Sequence, residues 1–319
     1  MSTSDNQQSE LWLERASRVM PGPQSNFRAR AEIMPIIFSS SEGLRYKDVD
    51  GKEYIDYALG MGPAIFGHSN QEYFNAVQEQ LNRIFSAGSA VGHTTTEIEL
   101  AEKIVEHIPS AEWVRFCMTG SEANPLFVRF EGHYHGWLDN IFGGIGTDHN
   151  PPYPVPSAGD TKGTSPFALQ ESLKIPWNDA DILEAVLEEH HDKIGMVLME
   201  AIMCNFGCCP PRDGYLERVR ELCDIYDVVL CFDEVYTGFR VGLDGAQGKY
   251  QVTPDLSIFA KAMAGGLPLS AVVGKKNIMQ LLREGTVLGG GTFNSFPLAM
   301  AAAVTTIAVS YTHLRAHET

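Results

Sequence analysis

The sequence is short of positive charge and contains no long hydrophobic run. Its 319 residues carry 24 lysines and arginines against 40 aspartates and glutamates, which gives a formal net charge of −16. A surface of this sign repels phosphate backbones and anionic headgroups, so neither nucleic acid nor an anionic membrane is expected as a partner. No apolar stretch approaches the roughly 20 residues that cross a bilayer.

Cysteine is also scarce. The six cysteines are Cys117, Cys204, Cys208, Cys209, Cys223 and Cys231. Most lie within apolar segments, which predicts reduced core thiols rather than a disulfide framework. Three of them are close in sequence, but no second cysteine pair or spaced histidine pair completes a ligand set, so no metal site is predicted. Residues 1–12 are polar and lack the apolar core of a signal peptide, which predicts a cytoplasmic protein.

What the sequence does have is an apolar run that stops at two carboxylates. Residues 228–232, VVLCF, precede Asp233 and Glu234, a pattern typical of a buried parallel strand with acids at its carboxyl end. Open α/β sheets bind their ligands at that end. The next apolar run, residues 256–260, is followed by Lys261. A lysine among apolar neighbours loses its proton easily, and the free amine attacks aldehydes. A carboxylate and an amine in this order suit pyridoxal phosphate chemistry.

Strand-like and helix-like segments alternate along most of the chain. Strands are predicted at 113–118, 126–130, 194–199, 228–232, 256–260 and 269–274, and helices at 10–20, 97–108, 179–190, 215–226 and from 297 to 309. Alternation of this kind predicts an α/β fold with a mostly parallel central sheet. Residues 43–57 alternate around Asp50 and Gly51, which predicts a small β-hairpin.

Three segments resemble the class III pyridoxal-phosphate aminotransferases, and within them the glutamate-1-semialdehyde aminomutase-like branch. They are FDEVYTGFR at 232–240, GAQGKYQVTPDLSIFAKAMAGGLPLSAVVG at 245–274 and GTFNSFPLAMAAA at 291–303. The resemblance extends from about residue 13 to about residue 310. It implies fold type I, with helices on both faces of the sheet, a pyridoxal 5'-phosphate cofactor, and a homodimer with a shared active site.

The resemblance also implies roles for individual residues. Lys261 is expected to form the Schiff base, and Asp233 to keep the ring nitrogen protonated. Tyr134 and Val235 would sandwich the ring. The other expected ligands are His135 beside the ring, Glu200 and Asn205 near its hydroxyl, Gly120, Ser121 and a partner's Thr292 at the phosphate, and Arg28 with Ser25 at the substrate carboxylate.

Two stretches depart from the family pattern. Residues 113–123 combine a strand, a glycine, a hydroxyl side chain and the start of a helix. This order is typical of a phosphate-binding site. Relatives continue that helix for several turns, whereas Pro125 disfavours a helical residue before it, so the expected helix is not predicted here. The last ten residues match nothing in the family. The predicted organisation is therefore an N-terminal segment at 1–65, a cofactor-binding domain at 66–309 and an unrelated tail at 310–319, with the C-terminal domain missing.

The predicted function is that of an enzyme acting on small molecules. An aminotransferase would move an amino group between an amino acid or amine and a keto acid or aldehyde, through the Lys261 Schiff base. A glutamate-1-semialdehyde 2,1-aminomutase would use the same residues for an intramolecular transfer. The third alternative is an inactive, truncated remnant of such an enzyme. The motifs are common to all three, so the sequence leaves them open.

Overall fold

The N-terminal part of the chain forms a helix and a small sheet in the computed structural model, which describes residues 7–20, 36–87, 91–118, 127–142, 155–156, 165, 168, 172–287 and 289–317. Helix α1 spans Gln7–Ser17, and strands β1 (Phe38–Glu42), β2 (Arg45–Asp48) and β3 (Glu53–Ile55) form an antiparallel sheet in that order. Strands β2 and β3 confirm the predicted hairpin. Its turn contains Gly51 at φ 89°, a left-handed value that glycine adopts without steric cost.

A second sheet of eight strands forms the centre of the fold. Its strands are β4 (Trp113–Cys117), β5 (Phe127–Phe130), β6 (Val155–Pro156), β7 (Ser172–Ile175), β8 (Met196–Met199), β9 (Val229–Asp233), β10 (Leu256–Phe259) and β11 (Ser270–Gly274). In space they follow the order β4, β11, β10, β9, β8, β5, β7, β6. All neighbours from β10 to β7 pair in parallel, which confirms the predicted mostly parallel sheet.

Strand β11 runs against this direction. It pairs antiparallel with both β10 and β4. Only residues 260–269 connect β10 to β11, and a parallel crossover needs a dozen or more residues. The chain therefore folds back beside β10, and this short connection carries Lys261.

Helices cover the central sheet. They are α2 (Gln71–Arg83), α3 (Thr95–His107), α4 (Asp139–Phe142), α5 (Ala180–His190), α6 (Tyr215–Ile225), α7 (Gly245–Tyr250), α8 (Lys276–Arg283) and α9 (Pro297–His317). The side chains of Asn70, Thr94 and Asp179 cap α2, α3 and α5 by accepting a backbone N–H of the first turn. Helix α9 continues past the predicted residue 309.

Two apolar clusters hold the sheet in place. One joins α5 and α6 to the middle strands and includes Leu187, Val219 and Phe232. The other joins α3 and α9 to the strands nearer β4 and includes Leu100 and Met300. These side chains are fully or almost fully buried, and each contributes about 1.5–3 kcal/mol through removal of apolar surface from water. No helix in the described part of the chain is both long and apolar enough to cross a membrane.

The buried carboxylate of Asp255 links four elements of the fold through hydrogen bonds. Asp255, at the start of β10, accepts hydrogen bonds from Arg220 Nη1 of α6 at 2.8 Å, from the backbone N–H of Leu230 in β9 at 2.8 Å, and from Lys275 Nζ before α8 at 2.6 Å. Burial raises the pKa of Asp255, but the hydrogen bonds from Lys275, Leu230 and Arg220 outweigh it, so the pKa lies below its ordinary value. The network fixes the strands that lead to the site.

Asp255→Asn is expected to destabilise the protein by about 2–3 kcal/mol at pH 7, because it removes the buried anion that Arg220 and Lys275 share and leaves Arg220 only the exposed carboxylate of Asp224. The folded-state pKa of Asp255 is depressed, so its contribution is fully present above the unfolded pKa of about 3.9 and is lost as the pH falls through the folded value. Urea unfolding at several pH values measures this, with exposed Asp213→Asn as the control. A deficit at pH 7 no larger than that of the control would contradict the assignment.

Candidate active site

The carboxyl ends of three adjacent parallel strands carry the polar residues of the site. Glu200 follows β8, Asp233 ends β9, and Lys261 comes two residues after β10. The register pairs Met199 with Phe232 and Asp233 with Ile258. Because these ends meet at one edge of the sheet, residues far apart in sequence face one another.

Asp233 is the buried carboxylate of this edge. It is 6% exposed. Its Oδ2 lies 2.7 Å from Nδ1 of His135, and its Oδ1 accepts the backbone N–H of Val235 at 3.0 Å. His135 is its only ion-pair partner among the described residues. A carboxylate has about four acceptor positions, so two remain for a ligand.

The neighbouring carboxylate, Glu234, has a different role. It is fully buried, and its oxygens accept the backbone N–H groups of Ala246 and Gln247 at 2.9 Å, at the start of α7. It also accepts the hydroxyl of Thr237. Burial raises the pKa of Glu234 despite these hydrogen bonds. Glu234 therefore anchors a helix, while Asp233 faces the site.

Lys261 is placed by a strained backbone. It begins the 3-10 turn Lys261–Ala264 with a φ of 43°, a conformation that side chains other than glycine rarely adopt. Its Nζ lies 3.8 Å from the ring centroid of Tyr236. Burial lowers the pKa of Lys261, and the nearby charges of Asp233 and Glu200 offset only part of that effect. The site therefore favours the free amine, which is the nucleophilic form.

Glu200 organises the other side of the site. It is 3% exposed, and its Oε1 accepts the backbone N–H of Tyr134 at 2.7 Å and the Nδ2 of Asn205 at 2.8 Å. Its Oε2 accepts the backbone N–H of Cys204 at 2.7 Å. Burial, followed by the charge of Asp233, raises the pKa of Glu200. One side chain thus fixes two of the predicted site residues, Tyr134 and Asn205.

A loop from the N-terminal part of the chain closes over Lys261. Gly62 is buried with a φ of 109°. A Cβ there would lie 3.1 Å from Cδ of Lys261, 3.2 Å from Cε1 of Tyr236 and 3.6 Å from Nη2 of Arg240. A larger residue has neither the backbone freedom nor the space, so the glycine permits this close approach.

The predicted site residues divide into three groups. The structure brings together Lys261, Asp233, His135, Glu200, Asn205, Tyr134 and Val235 through the contacts above. Thr292 is exposed in the segment before α9, and no contact described here links it to Asp233 or Lys261. Four predicted site residues lie outside the described part of the chain, namely Gly120, Ser121, Ser25 and Arg28. Pro125 and the helix that it disfavours lie outside it as well.

Two residues of the site were not identified from the sequence. Tyr236 and Arg240 lie within the FDEVYTGFR segment but received no role, although an aromatic and a cation so close to Asp233 are a usable signal. Gly62 lies 178 positions before Arg240, and Nη2 of Arg240 donates a hydrogen bond to the Gly62 carbonyl. Nothing in the sequence links these two. In the described part of the chain, no group of three or more His, Cys, Asp or Glu side chains is arranged to hold a metal ion.

Comparison with known proteins gives consistent matches. A sequence model of the Aminotransferase class-III family matches residues 27–131 and 125–314. A glutamate-1-semialdehyde 2,1-aminomutase from Ignicoccus hospitalis is 39% identical over 310 residues, which cover 92% of this chain and 71% of that protein. An omega-transaminase from Sphaerobacter thermophilus superposes with a TM-score of 0.87 at 29% identity, covering 94% of this chain and 72% of that one. A structure described as a transaminase with PLP bound superposes with a TM-score of 0.86 at 27% identity, covering 95% and 74%.

Proposed function

This chain belongs to the class-III aminotransferases, and we propose that it uses pyridoxal 5'-phosphate to move an amino group between an amino acid or amine and a keto acid or aldehyde. The observation that carries the proposal is that Lys261 and Asp233 lie at the same edge of the central sheet. Lys261 has a lowered pKa, and Asp233 is a buried carboxylate. An amine for the cofactor's aldehyde and a carboxylate for its ring nitrogen are the two groups that the cofactor needs from a protein.

The described residues fit the ring of this cofactor. Asp233 has acceptor positions left over from His135 and Val235, so it can bind the ring nitrogen. Tyr134 and Val235 would pack on the two faces of the ring, and Asn205, which donates a hydrogen bond to Glu200, would bind the ring hydroxyl. Pyridoxal phosphate, when bound, supplies an aldehyde that condenses with amines and a ring that delocalises the electrons left on the substrate carbon.

Lys261 acts twice in this account. Its Nζ, whose pKa is lowered by burial, would hold the cofactor through the aldehyde. Once free, the same amine would accept the proton of the substrate carbon and return it. Tyr236 and Gly62 confine the side chain so that the amine stays at the reacting position.

Asp233 would stabilise a proton on the ring nitrogen and would not transfer it. Hydrogen bonds with His135 and Val235 fix its carboxylate in the sheet. An anionic oxygen facing the ring nitrogen stabilises the protonated ring, because charge-assisted hydrogen bonds in a buried site are stronger than neutral ones.

The rest of the predicted site is part of the same proposal. Gly120 and Ser121 would bind the phosphate, together with Thr292 from the second subunit of a homodimer, and Arg28 and Ser25 would face the substrate carboxylate. The proposed location is the cytoplasm, since all six cysteines are unpaired, as expected in a reducing compartment. Analytical ultracentrifugation tests the homodimer directly.

A second candidate is a 2,1-aminomutase, which transfers the amino group within one substrate molecule. The observation in its favour is the 39% identity to a protein of that name, compared with 29% and 27% for the transaminase structures. The residues around Lys261 serve both reactions. The two differ in whether the intermediate product leaves the site.

Product analysis separates the candidates. The purified chain with added cofactor is incubated with a panel of amino donors, and separately with glutamate-1-semialdehyde, each with and without a keto acid. A new amino acid that forms only when the keto acid is present indicates an aminotransferase. An isomerised product without any acceptor indicates an aminomutase. Absence of conversion in every mixture would contradict both and support the inactive remnant.

A further inference from the structure

Arg240 is a cation at the mouth of the site whose hydrogen bonds go only to neutral groups. Its Nε donates to the carbonyl of Tyr236 at 3.0 Å, and its Nη2 donates to the carbonyl of Gly62. In the part of the chain that the structure describes, Arg240 forms no ion pair with a carboxylate. Arg240 thus keeps an uncompensated charge.

The position of this charge is close to the reacting amine. Nη2 of Arg240 and Cδ of Lys261 both lie within 3.6 Å of the point where a Cβ of Gly62 would stand. Burial is the main cause of the lowered pKa of Lys261, and the positive charge of Arg240 acts in the same direction with a smaller effect. Arg240 as a whole is exposed, whereas Lys261 is partly buried.

The two hydrogen bonds to backbone carbonyls orient the guanidinium and occupy only some of its N–H donors. A guanidinium has five N–H donors, and the contacts to Tyr236 and Gly62 use two of them. The remaining donors form the flat edge that binds a carboxylate through two parallel hydrogen bonds. Holding an arginine through backbone carbonyls fixes that edge before the ligand arrives, which lowers the entropy cost of binding.

We propose that Arg240 binds the carboxylate of the substrate, and that the substrates of this enzyme are therefore amino acids and keto acids rather than simple amines and aldehydes. The proposal rests on the proposed transfer of an amino group at Lys261. It narrows that function to carboxylate-bearing substrates. Arg240 is an additional recognition residue, distinct from Arg28.

The test compares acids with their neutral amides in the cofactor-loaded protein. Alanine and alaninamide, and β-alanine and β-alaninamide, serve as donors for the wild type, Arg240→Met and Arg240→Lys. In Arg240→Met, kcat/KM for the acids is expected to fall by about 10- to 100-fold, mainly through KM, while the values for the amides change little. Arg240→Lys should recover part of the loss, since it keeps the charge without the paired donors. Arg83→Gln, an exposed arginine of α2, is the control.

A binding measurement keeps the proposal testable without turnover. Saturation-transfer NMR of the loaded protein with propionate is expected to give a dissociation constant about tenfold higher for Arg240→Met than for the wild type, with propionamide unaffected. Equal losses for acid and amide would show that Arg240 only holds the Gly62 loop, and would overturn the proposal. Unchanged propionate binding would overturn it as well. If no donor reacts but propionate binding still depends on Arg240, the aminotransferase function would be overturned and the carboxylate-binding role of Arg240 would stand.

Discussion

Lys261→Ala is expected to lower kcat/KM for transfer from any accepted amino donor by about ten-thousand-fold. The substitution removes both the nucleophile that holds the cofactor and the base that carries the substrate proton, and each of these roles is worth two or more orders of magnitude. The fold should be retained, because the lysine side chain is only partly buried and contributes little apolar packing. Steady-state assay with saturating cofactor, together with circular dichroism, measures both effects.

Two further variants identify the amine as the cause. Lys261→Arg keeps a positive charge but cannot supply a free amine, because arginine does not deprotonate in proteins, so its activity should stay as low as that of the alanine variant. Lys249→Ala removes an exposed lysine of α7 and should be fully active. Added methylamine should restore part of the activity of Lys261→Ala. If Lys261→Ala stayed within tenfold of the wild type, the assigned role would be wrong.

Asp233→Asn is expected to reduce kcat by about a hundred- to a thousand-fold, the range measured when one preorganised electrostatic contact is lost. The amide is neutral, so it no longer stabilises a proton on the ring nitrogen, and the bound ring withdraws electrons less strongly. The amide oxygen can still accept the N–H of Val235, and the amide nitrogen can donate to Nδ1 of His135 when that ring nitrogen carries no proton. The cofactor should therefore remain bound, and the loss should appear in kcat more than in KM.

The charge-preserving variant Asp233→Glu separates electrostatics from shape. It restores the anion with a longer side chain, so it should be more active than Asp233→Asn while remaining below the wild type. Cofactor content, measured after release with base, shows whether each variant is loaded. An Asp233→Asn enzyme that is fully loaded and within tenfold of the wild-type kcat would mean that the ring nitrogen does not depend on this carboxylate.

The placement of Asp233 and Lys261 was predictable because local sequence determines it. The run VVLCF ends at a pair of carboxylates, and LSIFA ends at a lysine, so burial of both strands places these side chains at one sheet edge whatever the remaining topology. The structure places Asp233 at the end of β9 and Lys261 just after β10, in parallel register. The mostly parallel sheet followed from the same alternation of strands and helices.

Other features depended on contacts that sequence patterns do not encode. The reversal of β11 follows from the length of one connection rather than from any residue type. The approach of Gly62 to Lys261, and the hydrogen bond from Arg240 to the Gly62 carbonyl, join positions far apart in the chain. The extent of α9 was underestimated because the helix was ended where the family resemblance was expected to end, although residues 310–317 contain no proline or glycine to end a helix. The proposed limits of the domains remain predictions.

Borohydride reduction of the cofactor-loaded protein, followed by peptide mass mapping, tests the central claim most directly. The account predicts a visible absorption band that disappears on reduction, and a single peptide carrying the added mass of the reduced cofactor at Lys261. The same treatment of Lys261→Ala should give neither. Cofactor mass on a different lysine, such as Lys275, or an active enzyme with no reducible bond at Lys261, would contradict the account.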